Sequence, residues 1–238
     1  MEPREIEFKL QLAGESDFDA LVAVLPGGAR LARRELAQTN HYFDTRDGAL
    51  HAARSSLRLR EAGGAWTLTA KGPQDAGAAR DLALARRAEE ECAVDGRSAA
   101  ELLAGTRCPL ATLLARRGAR ASPFAARLEA LVAGRELIRI GGFENLRARV
   151  GPIAVELDGR PRQLTLELDR TTFPGGRVDW EVELEVEAED APAAAALLGT
   201  WFRRAGLPWR PATNKLERYL AGRGADGGGP AGAGIANS

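Results

Sequence analysis

Charged and apolar side chains alternate along many short segments of this 238-residue chain. In residues 4–12, Glu5, Glu7 and Lys9 occupy odd positions, and apolar side chains occupy the even positions between them. Successive side chains of a β-strand point to opposite faces, so this period of two predicts a strand with one ionic and one apolar face. The same alternation predicts strands at residues 57–60, 66–71, 87–91, 145–150, 164–169 and 181–187.

Helical patterns separate groups of these strands. Ser16 is placed to cap a helix over residues 17–25, which a Pro-Gly-Gly sequence then ends. Asp190 is placed to cap another helix, which runs to about Ala205. Shorter helices are predicted over residues 110–117, 123–132 and 213–221. Runs of strands with segregated helices predict an α+β fold with a largely antiparallel sheet.

The charge and the cysteine count exclude several classes of protein. Lysine and arginine together number 33, as do aspartate and glutamate, so the net charge is zero. This balance weighs against a general nucleic-acid-binding protein. With only Cys92, Cys108, His41 and His51, the chain lacks the residues for a disulfide framework or a Cys/His zinc cluster. Any metal must therefore have carboxylate ligands, which favour Mg²⁺, Mn²⁺ or Ca²⁺.

Neither a targeting signal nor a membrane span is evident. The N-terminus is charged from the start, and no apolar run approaches the roughly 20 residues that a transmembrane helix needs. We therefore expect a cytoplasmic protein without a membrane partner. Residues 222–238 are rich in glycine and alanine, which predicts a flexible tail after one domain over residues 1–221.

The ionic strand faces allow two arrangements. An open sheet would turn its ionic face to water, whereas a closed barrel would turn it inward and cover its apolar outside with helices. An ionic lumen needs a compensating ligand, because burying unpaired charges costs several kcal/mol each. A polyanion with divalent cations would use both signs of charge. The alternation alone leaves both arrangements open.

A series of short motifs follows the order in which one known family carries them. The chain resembles the CYTH family, also called triphosphate tunnel metalloenzymes, at residues 5–9 (EIEFK), 42–45 (YFDT), 57–60 (LRLR), 67–73 (TLTAKGP), 87–91 (RAEEE), 181–185 (EVELE) and 213–218 (TNKLER). Residues 141–147 and 166–169 resemble the plant-type single-domain members. The resemblance covers about residues 4–220, with Asn214 standing where the family usually has serine.

The resemblance implies an α+β fold built on an eight-stranded antiparallel β-barrel, a tunnel with a charged lumen and with helices packed outside. The ionic faces would then point inward. Arg147 and Arg149 share one strand face, and the sequence leaves open which of them points into the lumen. His41 and His51 are expected to be structural or surface residues, because the implied chemistry needs no histidine.

The resemblance also implies roles for individual side chains. A triphosphate in the lumen would be bound by Lys9, Arg58, Arg60, Lys71, Arg87, Arg147 and Lys215. The implied ligands of Mg²⁺ or Mn²⁺ are Glu5, Glu7, Glu89, Glu91, Asp169, Glu181 and Glu183. The implied catalytic residues are Glu5, Glu7, Lys9, Lys71 and Lys215. Some carboxylates are alternatively acceptors that hold arginine and lysine in place, namely Glu89, Glu91, Glu167 and Asp169.

The implied activity is the metal-dependent hydrolysis of inorganic tripolyphosphate to pyrophosphate and phosphate. Hydrolysis of thiamine triphosphate and cyclisation of ATP, as by a class IV-type adenylate cyclase, remain alternatives. A non-catalytic polyphosphate-binding module would keep the cations without needing the paired carboxylates, and a structural sheet protein would merely solvate its charges. The expected partner is a small-molecule triphosphate and not a nucleic acid, with the protein a monomer or a homodimer.

Overall fold

The computed structural model describes residues 4–74, 83–116 and 122–225. Side chains are described in these ranges except at positions 4, 5, 116 and 223–225. The strands are β1 (Arg4–Leu12), β2 (Arg33–Thr45), β3 (Ser56–Ala62), β4 (Ala65–Lys71), β5 (Leu84–Val94), β6 (Leu137–Leu157), β7 (Arg160–Thr172) and β8 (Val178–Glu185). The helices are α1 (Glu15–Val24), α2 (Ala49–Ala52), α3 (Gly96–Leu103), α4 (Pro109–Arg116), α5 (Pro123–Val132), α6 (Ala191–Arg204) and α7 (Lys215–Ala225).

The eight strands form one closed barrel, in the order β1-β5-β4-β3-β2-β6-β7-β8, and every neighbouring pair is antiparallel. Because β1 pairs with both β5 and β8, the ring closes between the first and the eighth strand. The predicted α+β barrel with helices outside is confirmed. The alternation predicted no strand at β2, which extends over 13 residues, and only residues 145–150 of β6, which extends over 21.

The apolar strand faces point outward and form the core with the helices. Phe8 and Leu10 of β1 are 1% and 0% exposed, and they share a hydrophobic cluster with Phe18 of α1 and Trp201 of α6. Burial of side chains of this size stabilises the fold by about 2 kcal/mol each. The ionic faces therefore have only the lumen to occupy.

A second hydrophobic cluster covers the opposite side of the barrel. Leu59 of β3 and Leu68 of β4 pack with Leu102 of α3, Leu113 of α4 and Phe124 of α5. Each of these five side chains is at most 5% exposed. The two clusters leave α7 as the helix that packs into the lumen.

Helix α7 meets inward-facing aromatic residues. Leu216 and Tyr219 of α7 form a cluster with Tyr42 of β2, Phe143 of β6 and Phe173, which directly follows β7, and all five are buried. A Cβ at Gly141 would lie 1.8 Å from the Tyr219 hydroxyl oxygen, so only glycine allows this approach. We call these five residues the aromatic plug, because they fill the lumen beside the last helix.

Two predicted helix caps are wrong. Helix α1 begins at Glu15, so Ser16 lies within its first turn, and Asp17 instead accepts a hydrogen bond of 2.8 Å from the Ala13 amide. Asp190 does precede α6, but its carboxylate accepts from Arg162 at 2.7 Å and makes no capping bond. Asp190 occupies the N-cap position, but its carboxylate pairs with Arg162 instead of a backbone amide.

Three further expectations concern the C-terminal tail, the two histidines and membrane-spanning helices. Helix α7 continues to Ala225, past the predicted start of the tail at residue 222, and residues 226–238 lie outside the described part of the chain. His41 stacks on Trp66 on the outer surface, and His51 is exposed, so neither enters the lumen. No helix among the described residues is long and apolar enough to cross a bilayer.

Candidate functional site

The lumen contains a cavity of about 590 Å³, and charged side chains dominate its lining. These side chains come from six strands and from the start of α7. The lining includes Glu7, Lys9, Arg58, Arg60, Lys71, Arg87, Glu89, Glu91, Arg147, Glu183, Glu185 and Lys215. The alternation thus brings most of the predicted site residues to one space.

Three buried carboxylates form the acidic part of this site. Asp169 of β7 and Glu181 and Glu183 of β8 each offer an oxygen within 4.8 Å of the others. The antiparallel register sets Asp169 opposite Glu181, and the spacing of two in β8 turns Glu183 to the same face. Their exposures are 0%, 1% and 5%, respectively. We call these residues the acidic cluster.

Lys215, Arg147 and Lys9 are three of the cations that compensate the acidic cluster. Lys215 Nζ lies 2.8 Å from an oxygen of Asp169 and 2.8 Å from one of Glu183, and it also contacts Glu181. Arg147 binds Asp169 in a bidentate pair at 2.7 and 2.6 Å and reaches Glu183 at 2.5 Å. Lys9 Nζ lies 2.8 Å from Glu183. The buried charges are therefore held in a hydrogen-bonded network.

The network perturbs the pKa of its members in different directions. Burial alone would raise the pKa of Asp169 and Glu183, but nearby cations, Lys215 foremost, outweigh it and lower both, that of Asp169 to about 2. Burial alone would lower the pKa of Lys215, but the three carboxylates raise it. At Glu181 burial dominates and raises the pKa.

The structure settles which arginine of β6 enters the site. The Arg147 side chain is 14% exposed and contacts the acidic cluster, whereas the Arg149 side chain is 59% exposed and pairs with Glu167 at 3.1 Å. Both share the inward face, but the β6–β7 register sets Arg147 opposite Asp169 and Arg149 opposite Glu167, closer to the rim. Glu167 also contacts Arg147, as one of the predicted acceptors.

The ExExK strand lies beside this cluster. Glu7 is 4% exposed and accepts from Arg87 at 3.1 Å, and Lys9 Nζ lies 3.0 Å from it. Lys9 is thereby shared between Glu7 and Glu183. The backbone of Glu5 pairs with Arg87, and the Glu5 side chain lies outside the described residues.

The opposite side of the lumen is basic. The β3–β4 register places Arg60 opposite Thr67, Arg58 opposite Thr69, and Lys71 opposite Ser56, all facing inward. We call Arg58, Arg60, Lys71 and Arg87 the basic wall. Arginine offers paired donors to phosphate oxygens, and lysine offers a compact charge.

Two arginines of the basic wall lack a direct carboxylate partner in the described part of the chain. Among the described residues, neither Arg58 nor Arg60 forms a salt bridge, and the buried Arg58 Nε has no hydrogen-bond partner. Arg60 Nε donates to Asn40 Oδ1 at 3.0 Å. Burial, with repulsion from Arg58 and Arg147, lowers the pKa of Arg60 to about 10. An anion in the cavity would relieve this repulsion.

Two predicted metal ligands lie on the basic side. Glu89 Oε2 lies 3.5 Å from Lys71 Nζ, and Glu91 accepts a hydrogen bond of 3.1 Å from Thr69. They do not join the acidic cluster. Their contacts match the alternative expectation, in which these carboxylates hold cations and hydroxyls in place.

Arg218 is a site residue that sequence reasoning missed. Its side chain is 11% exposed, contacts Glu181, lies 3.4 Å from Asp179 and donates to Gln11 at 3.1 Å. Residues three apart on a helix share one face, so its position three after Lys215 was the available signal.

The acidic cluster suits a hard divalent cation. Three convergent carboxylates are the donors that Mg²⁺ and Mn²⁺ prefer, and adjacent water and phosphate oxygens could complete an octahedron. Asp169, Glu181 and Glu183 are therefore the residues that would hold a metal, with Glu7 next to them across Lys9.

Comparison with known proteins identifies the family. A family model described as the CYTH domain matches residues 3–219. The chain belongs to the CYTH family. CYTH proteins are typically metal-dependent enzymes with triphosphatase activity. Comparison with curated protein sequences finds no match.

Solved structures of CYTH-like proteins share the fold. A candidate adenylyl cyclase from Hippeastrum, described as having a dominant triphosphatase activity, is 24% identical with a TM-score of 0.69, over 92% of this chain and 96% of that one. A candidate adenylate cyclase from Bacillus halodurans is 22% identical with a TM-score of 0.61, over 91% and 97%. The PH1819 protein of Pyrococcus horikoshii is 18% identical with a TM-score of 0.54, over 92% and 99%.

Proposed function

We propose that this protein hydrolyses inorganic tripolyphosphate to pyrophosphate and phosphate, with Mg²⁺ or Mn²⁺ as cofactor. The observation that carries the proposal is a cavity lined by Arg58 and Arg60, which form no salt bridge with the described residues, and by Glu183 of the buried acidic cluster. A polyanion with a divalent cation is the ligand that satisfies both. The Hippeastrum protein, described as a triphosphatase, supports the proposal to the extent that its fold accommodates this chemistry.

The residues of the chain would divide the work. Arg58, Arg60 and Lys71 bind phosphate oxygens and hold the chain of phosphates in place, since positioning and charge stabilisation dominate phosphoryl transfer. Arg87, held by Glu7, extends the basic wall towards the ExExK strand. A bound metal would polarise a phosphoryl oxygen and lower the pKa of a water molecule.

Carboxylates on the opposite side would hold the metal. Asp169, Glu181 and Glu183 offer the ligands. A module that only binds polyphosphate would have no use for three buried carboxylates, which are costly to desolvate.

Phosphate release tests the proposal. Tripolyphosphate, thiamine triphosphate and ATP are each offered with Mg²⁺ or Mn²⁺, with and without a chelator, and ATP is also assayed for cyclic AMP. Glu181→Gln is the test variant and Glu144→Gln the matched control, because Glu144 is exposed on the outer face of β6. We expect tripolyphosphate turnover to stop on chelation, to fall at least about 100-fold in Glu181→Gln, and to persist in the control.

Other outcomes would replace the proposal. Preference for thiamine triphosphate, or production of cyclic AMP, would keep the site and change the substrate. Tight tripolyphosphate binding without turnover would indicate a binding module. Neither turnover nor binding would show that the lumen charges serve only the fold.

A further inference from the structure

Lys215 occupies the centre of the acidic cluster. Its ammonium contacts all three carboxylates, with distances of 2.8 Å to both Asp169 and Glu183. The ammonium thus contacts the three carboxylates whose oxygens converge within 4.8 Å of one another. The ammonium therefore stands where a divalent cation held by these ligands would be.

Every oxygen of the acidic cluster already has a cationic partner. Both oxygens of Asp169 bind Arg147, and one of them also binds Lys215. The two oxygens of Glu181 bind Lys215 and Arg218. One oxygen of Glu183 binds Lys9 and Lys215, and the other binds Arg147. A metal ion can enter this set only by displacing a cation.

Lys215 is the cation best placed to leave. Arg147 is anchored in the middle of β6 by a bidentate pair, and Lys9 lies in β1 between two strands. Lys215, by contrast, is the first residue of α7 and lines the open cavity, so its side chain can swing from the cluster towards the basic wall. Repulsion between an ammonium and a divalent ion a few ångströms apart favours this movement.

We propose that Lys215 is a built-in counter-cation that competes with the divalent metal for the acidic cluster. Metal binding would displace the ammonium into the cavity, where it can meet a phosphate oxygen, and would loosen the attachment of α7. The proposal rests on the metal site of the proposed function and adds an order of binding, metal before triphosphate. Coupling between two binding equilibria is reciprocal. The factor by which the metal weakens the contact of Lys215 with the acidic cluster is therefore the factor by which that contact weakens metal binding.

Calorimetric titration of the full chain with Mn²⁺, in the absence of phosphate, tests the competition. We expect Lys215→Met to bind Mn²⁺ about tenfold more tightly than the wild type. Arg149→Met is the matched control, since it removes the same charge from an exposed position outside the cluster, and its affinity should stay within about twofold of the wild type.

Hydrogen exchange of the unmutated protein provides a second test, which does not depend on a variant that leaves carboxylates unpaired. Amides of residues 216–222 should exchange faster with Mg²⁺ than without it, because α7 loses its contact with the cluster. In Lys215→Met, added Mg²⁺ should not accelerate them.

The outcomes separate the two proposals. Two results would contradict the proposed competition but leave the metal site in place. One is that the wild type binds Mn²⁺ and Lys215→Met binds it equally or more weakly. The other is that Mg²⁺ slows hydrogen exchange in α7. If neither protein binds Mn²⁺, the metal site itself is wrong, and the competition with it.

Discussion

The basic wall lines the cavity, and the acidic cluster reaches the same cavity through Glu183, but the charges of the two groups are neutralised differently. Asp169, Glu181 and Glu183 are each paired with cations of the same chain. Arg58 and Arg60 form no salt bridge with the described residues. The carboxylates of the acidic cluster are thus neutralised within the folded protein, whereas Arg58 and Arg60 have no such partner among the described residues and fit the anion of the proposed function.

Charge in a lumen therefore does not by itself indicate function. A buried carboxylate with its own lysine contributes little net stability, but removing one partner is costly because the other charge stays buried. Arg58 and Arg60 are half-buried and form no salt bridge with the described residues, so an anion bound beside them would stabilise them further. Matched substitutions on the two sides should consequently act on different observables.

Arg147→Met should have the largest effect on stability. It leaves Asp169 and Glu183 with fewer partners, so we expect the free energy of unfolding to fall by about 4 kcal/mol. Urea unfolding measures the change. Arg149→Met, on the same strand face but exposed, should change it by less than about 0.5 kcal/mol. If both variants lost the same free energy of unfolding, the distinction between Arg147 in the acidic cluster and the exposed Arg149 would be wrong.

Glu183→Gln and Glu181→Gln should differ within the acidic cluster. The lowered pKa of Glu183 means that its stabilising effect is present above the unfolded pKa of about 4 and is lost as pH falls through the folded value. Glu183→Gln should therefore lower stability by about 3 kcal/mol at pH 7, and by progressively less as the medium is acidified.

The sign is opposite for Glu181. A raised folded pKa means a contribution that is present below the unfolded value and is lost as pH rises through the folded one. At pH 7, Glu181→Gln should thus be less destabilising than Glu183→Gln. Urea unfolding between pH 3 and pH 7 compares them, and the reverse order would contradict the assignment of the two charges.

Arg58→Met should spare stability and weaken ligand binding. Because Arg58 forms no salt bridge with the described residues, we expect the free energy of unfolding to change by less than about 1 kcal/mol. Tripolyphosphate should bind about 30-fold more weakly, since a hydrogen bond to a charged group contributes about 2 kcal/mol. Calorimetric titration with tripolyphosphate measures the loss, and an unchanged affinity would show that the anion does not contact this wall.

Glu89→Gln should have the smallest effect. Glu89 lies 3.5 Å from Lys71 at the partly exposed side of the cavity, so its loss should cost less than about 1 kcal/mol. Affinity for Mn²⁺ should stay within about twofold if the metal is held by the acidic cluster alone. A loss as large as that in Glu181→Gln would extend the metal site to the basic side.

For most strands the alternation predicted which side chains share a face, but it did not predict the neighbours of each strand in the ring. It placed Glu89 and Glu91, like Glu181 and Glu183, on ionic faces, which the family resemblance turned inward. The register sets Glu91 opposite Thr69 and Arg87 opposite Glu5, which carries these glutamates away from β8. Pairing partners depend on long-range closure, which a period of two does not encode.

Competition between partners explains the other differences. Ser16 and Asp190 are residue types that often cap helices. In the folded protein, however, Asp17 accepts the hydrogen bond from the Ala13 amide near the start of α1, and Asp190 accepts one from Arg162. Arg218 was missed because only the docking of α7 against β8 turns an ordinary helical arginine towards Glu181. The family motifs located most lining residues, and the register and docking assigned their partners.

The closure of the ring between its first and last strands has a consequence for synthesis. A ribosome makes β1 early, yet β1 cannot complete its pairing until β8 emerges, and Lys215 follows only after α6. For that interval Asp169, Glu181 and Glu183 exist without the ammonium that contacts all three. Such long-range pairing folds slowly, which leaves a nascent chain time to recruit free cations or a chaperone. Only after translation of residue 215 can the chain place its own ammonium against all three carboxylates.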